Sequence, residues 1–191
     1  MRGRIAVASV FVAAVVAAPV QAQAPIRLST DGAVTAMVEA AASRIRSATA
    51  GQGYKKHAFF LRALAVESNA PRGVGTMNGI GVAKIDAAMV RAAGLTDDDV
   101  AWMIAHEYAH FILKHPARRM LASPDGERVR DHADATKALE LEADRLGLRL
   151  ALAAGYSFDP HAFFTRLRGG RLAGESATHP ADVLRVRAMR R

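Results

Sequence analysis

The stretch "WMIAHEYAHFILKH", from Trp102 to His115, constrains the fold more than any other part of the chain. It is almost solidly apolar, and a helix that is apolar on nearly every side must lie inside a core. Thr96 followed by Asp97, Asp98 and Asp99 reads as the helix start, with acids in the first turn facing the positive end of the dipole. Pro116 reads as its end, which gives a central helix over about 97–115. Within that helix stand His106, Glu107 and His110. Buried charge is costly unless it is paired, so these residues either hold something there or form a polar flank by accident. At about 100° per residue, Asp99, His106, Glu107, His110 and Lys114 gather into one wedge, and the apolar residues fill most of the rest.

The wedge contains the pattern HExxH. Histidines four residues apart project from one helix face, one turn apart, and can bind a single zinc ion through neutral imidazoles. Glu107, beside the first of them, is placed to take a proton from water and return it to a leaving amine. A catalytic zinc site needs a third protein ligand and leaves one position open. The segment "ALELEADRLGLRLALAAG", 138–155, supplies it. On a helix Glu140 and Asp144 share a face with Gly147 and Ala151, and the small residues would let this helix approach the first closely. Glu140 is then the third ligand. Asp144, one turn on, can accept the other ring N–H of a ligating histidine and fix its tautomer. Glu142, Arg145 and Arg149 fall on the opposite, solvated side. His115 lies on the far side of its helix from the wedge and reads as structural.

Elsewhere the pattern predicts an α+β, mainly helical chain with one core. Val34, Met37, Val38, Ala41 and Ile45 have helical spacing over 30–50, capped by Thr30 or Asp31. Residues 57–68 and 79–85 read as strands, with a Gly- and Pro-rich loop between them. The segment 122–134 is polar and reads as a mobile loop, followed by a helix from about 135 to 154 that Gly155 ends. A short helix begins at Pro160, and a C-terminal one begins near Pro180.

The first residues form a separate unit. Arg2 and Arg4 precede an apolar run from Ile5 to Ala18, and then come two small-x-Ala sites ending at Ala22 and Ala24. The run falls short of the roughly 20 residues a membrane span needs. It reads as a cleaved secretory signal over 1–22, or 1–24, followed by a single domain over 23–191 and a periplasmic or secreted location, with no stable membrane insertion after cleavage. The chain has no cysteine, so packing and a metal, rather than disulfides, must stabilise it. Its net charge is +8, but the basic residues are scattered and include no aromatic-basic recognition motif, which argues against nucleic acid as a partner.

Four motifs, "HEYAH" (106–110), "ELEADRLG" (140–147), "AGYSFDP" (154–160) and "THPADVLRVRAM" (178–189), together resemble the zinc metallopeptidases that include the CAAX prenyl proteases, the HtpX membrane proteases and their soluble periplasmic relatives. The resemblance covers roughly residues 60–190. It implies a gluzincin (zincin-type) fold with a small mixed sheet. It implies one Zn2+ per chain on His106, His110 and Glu140, with Glu107 as general base and Asp144 as the outer acid. It also implies that His179 and Arg185 polarise the scissile carbonyl or cover the site. An edge strand over Gly79, Ile80, Gly81, Val82 and Ala83 would pair with an extended polypeptide substrate. The expected activity is hydrolysis of peptide bonds in extended or misfolded envelope proteins. The alternative is a periplasmic chaperone or adaptor on the same fold, with zinc serving structure.

Overall fold

The structure is a computed structural model that describes residues 27–67, 75–77, 81–121, 129–176 and 179–190. The expected leader, Gly79, Ile80 and residues 122–128 of the expected mobile loop lie outside the described residues. The described elements are β1 (Arg27–Leu28), α1 (Gly32–Gly51), α2 (Lys55–Ala58), β2 (Arg62–Glu67), β3 (Gly75–Met77), β4 (Val82–Asp86) and α3 (Ala87–Ala92). They continue with α4 (Asp97–Ile112), α5 (His115–Leu121), α6 (Val129–Ala153), α7 (Pro160–Leu167) and α8 (Asp182–Met189). The chain is mainly helical with a small mixed sheet, as the sequence predicts.

α1 forms where its periodicity puts it. The Asp31 side chain accepts a hydrogen bond from the Val34 amide, and Val34, Val38, Ala41, Ile45 and Thr49 are buried along one stripe. α4 starts with a full capping box between Thr96 and Asp99. Asp99 is itself buried and takes a bidentate ion pair from Arg166 of α7, at 2.8 Å, so the cap also anchors a neighbouring helix. Below it Trp102 stacks on Phe158 at 4.6 Å and meets Phe163 edge-on at 4.9 Å. Phe163 and Phe164 are buried, each contributing roughly 1.5–3 kcal/mol of transfer free energy.

The strand order is β1-β2-β4-β3, with β2 and β4 parallel and the outer pairs antiparallel. Ala65, Ala83 and Ile85 bury the inner face, over which α1 and α4 lie. The small alanines keep that layer thin.

Five expectations need correction. The strand placed at 57–68 begins only at Arg62, because Lys55–Ala58 take a helical turn first. The strand placed at 79–85 is β4, an interior strand paired with β2 on one side and β3 on the other, so Ala83 is paired on both sides and Val82 is paired with Arg62 of β2. Its edge is β3, formed by residues read as loop, which fold back antiparallel on β4 and run beside α4. α6 starts at Val129 rather than about 135. Finally, Pro116 does not close α4. The helix ends at Ile112, Lys114 takes a left-handed conformation (φ 57°), and Pro116 sits in the first turn of α5.

Candidate metal centre

α4 packs chiefly on α6, and the contact is close because of one missing atom. A Cβ at Gly147 would stand 2.8 Å from His106 Cα and 2.9 Å from its backbone nitrogen. Ala143 and Ala151, also buried, continue that narrow seam. The two polar stripes therefore meet at short range, and His106, His110 and Glu140 come together with all three residues buried.

The Nε2 atoms of His106 and His110 lie 3.0 Å apart. Glu140 Oε2 lies 3.3 Å from the first and 3.5 Å from the second. A tetrahedral ion bound at about 2.0–2.1 Å spaces its ligand atoms by about 3.4 Å, so this triangle has the size of one face of such a site. The donor set fits as well. Two imidazoles and a carboxylate could hold a metal ion and leave a position open.

Electrostatics favour a cation in the triangle. Burial alone would lower the His106 pKa, yet the carboxylates of Asp144 and Glu140 push it up to about 9. Glu140 is buried too, but the two imidazoles hold its carboxyl well below the usual carboxylate range.

Each histidine is backed by an outer partner. His106 Nδ1 faces Asp144 Oδ1 at 3.0 Å, and Arg185 grips Asp144 with two bonds of 2.8 and 2.5 Å. Asp144 and Arg185 are both buried, and the guanidinium also lies over the Phe164 ring. Behind His110, its Nδ1 lies 2.9 Å from Nδ1 of His115. His115 Nε2 faces Glu142 Oε2 at 3.4 Å, and Arg118 holds Glu142 at 2.6 and 3.1 Å. Burial and the neighbouring His110 bring the His115 pKa down to about 4.

A cleft of about 500 Å³ opens beside the triangle. Glu107, His106, His179 and Arg185 line it together with Trp102 and Phe164. His179 Nε2 lies 3.7 Å from Glu140 Oε2 with its side chain half exposed, and burial lowers its pKa. The structure thus brings together His106, Glu107, His110, Glu140, Asp144, His179 and Arg185. Gly81 precedes β4 at the far end of α4, where a Cβ would lie 3.4 Å from the Phe111 ring.

Two site residues are read differently from the sequence alone. His115 is not on a far helix face, because α4 has ended and the left-handed Lys114 swings it back onto His110. Glu142 is not simply solvated, since it anchors His115. The signal for the first was present in Pro116, whose ring would clash with the Ile112 carbonyl in an unbroken helix, so the chain has to turn before it and His115 opens α5 instead of prolonging α4.

No known family profile matches the chain, and no curated protein matches it in sequence.

Proposed function

We propose that this chain is a zinc-dependent endopeptidase of the gluzincin type, related to the CAAX prenyl protease and HtpX family. The observation that carries the reading is the buried triangle of His106, His110 and Glu140 with Glu107 on the adjoining cleft. A structural zinc site would be closed by a fourth protein ligand, whereas this one opens on a cleft. When bound, zinc supplies Lewis acidity toward water and a peptide carbonyl.

The chain's own residues do the rest. Glu107 accepts the proton of the attacking water at its carboxylate and gives it to the departing amine. His179, half exposed over Glu140, donates a hydrogen bond to the oxygen of the scissile carbonyl as charge builds there. Arg185 acts through Asp144 by keeping the His106 ring fixed. The substrate is an extended polypeptide that adds to the side of β3 away from β4, where no strand pairs among the described residues. The leader directs the protein to the cell envelope, where misfolded or unfolded chains are the substrates.

The test is zinc content together with casein cleavage, with and without chelator, for wild type and Glu107→Gln. The reading expects about one zinc per chain, cleavage that chelator abolishes, and a variant that keeps zinc but loses at least about 100-fold in rate. A zinc-loaded wild type that suppresses aggregation without cutting any chain would make it a chaperone instead.

A further inference from the structure

The proton count at His110 leads one step beyond the ligand set. A neutral imidazole carries one proton, and the nitrogen offered to a metal must be bare. His110 points Nε2 at His106 and Glu140, so its proton belongs on Nδ1. That atom faces Nδ1 of His115 at 2.9 Å, and two facing ring nitrogens share a single proton. His115 must then be bare at Nδ1 and protonated at Nε2, the atom that faces Glu142.

The opposite arrangement fails at both ends. It would put a proton on His110 Nε2, inside the triangle, and leave His115 Nε2 without one against a carboxylate. An ionised carboxylate can only accept, and Arg118 holds this one with two bonds. His115 is fully buried, so no solvent can stand in for either partner. Glu142 therefore sets the direction of the whole chain of bonds, from a position two residues beyond the ligand Glu140.

We propose that His115 is a positioning residue for the metal. It accepts the Nδ1 proton of His110 and donates its own to Glu142, which holds His110 in the tautomer that offers Nε2. This rests on His110 being a metal ligand.

The test uses the full chain and zinc itself, with affinity read by competition against a chromophoric chelator. His115→Phe keeps the ring volume and removes the acceptor, and should weaken zinc binding by about 10–100-fold. His115→Asn places an amide oxygen where Nδ1 was and should recover most of that loss. Glu142→Gln can donate to His115 as well as accept, so the direction is no longer enforced and zinc binding should weaken. In zinc-loaded wild type with 15N-labelled histidine, His110 should be protonated at Nδ1 and show a nitrogen–nitrogen coupling to His115 Nδ1. A folded His115→Phe with wild-type affinity would overturn the proposal. So would a proton found on His115 Nδ1. If His115→Phe does not fold, the wild-type coupling and the Asn variant decide by the same criteria. Wild type that takes up no zinc fails at the metal centre itself, a result distinct from either of these.

Discussion

At His106 the environment wants a positive charge whether or not a metal is there. With its pKa pushed up to about 9, the ring carries a second proton at neutral pH in the metal-free protein. Zinc binding there would have to expel that proton, so calorimetry in buffers of different ionisation enthalpy should show about one proton released per zinc at pH 7. Below about 9 the proton competes with the metal, and affinity should fall by up to tenfold per pH unit. Two residues on, Tyr108 is fully buried and its hydroxyl has no hydrogen-bond partner among the described residues. An unsatisfied buried hydroxyl costs more than it returns, so Tyr108→Phe should raise stability by about 1 kcal/mol in urea melts. The pairing of His106 with His110 was legible in the sequence because helical spacing alone puts i and i+4 on one face. The partner of His110 was not legible from that periodicity, since it depends on one left-handed residue breaking the period.

At the scale of elements, the α4–α6 seam sets the site. An alanine at Gly147 would gain roughly 0.5–1 kcal/mol of helix propensity. Its Cβ would meet rigid backbone at 2.8 Å, a clash worth about 1–3 kcal/mol. The clash wins: Gly147→Ala should lower the melting temperature and, by moving Glu140 away from α4, weaken zinc binding as well. The buried Asp144–Arg185 pair ties α6 to α8. Burial by itself works against the Asp144 charge, yet Arg185 holds its pKa below the ordinary value of 3.8. Its stabilisation is fully present above that value and is lost as pH falls through the lower folded one. Metal-free wild type should therefore melt progressively earlier below about pH 4, and Asp144→Asn should flatten that dependence. Elements with a cap and a clean period, α1 and α7, were readable within a residue or two. β3 was not, because Gly-rich residues take strand geometry only when a neighbouring strand is there to pair with, and the sequence does not display that neighbour.

For the whole molecule, the chain has no cysteine, and no described helix is long and apolar enough to cross a membrane. Zinc joining α4 to α6 would then act as the cross-link this fold otherwise lacks. Zinc at 100 times its dissociation constant should stabilise the protein by about 2.7 kcal/mol, read as a rise in melting temperature that chelator reverses. The two outer arms of the site differ in one more respect. The carboxylate and guanidinium behind His106 are shut away from solvent, while those behind His110, Glu142 and Arg118, are 38% and 46% exposed. Mobile ions can reach only the second pair. Ionic strength should therefore loosen the His110 arm more than the His106 arm, so that in concentrated salt the His110 side of a bound metal would give way first.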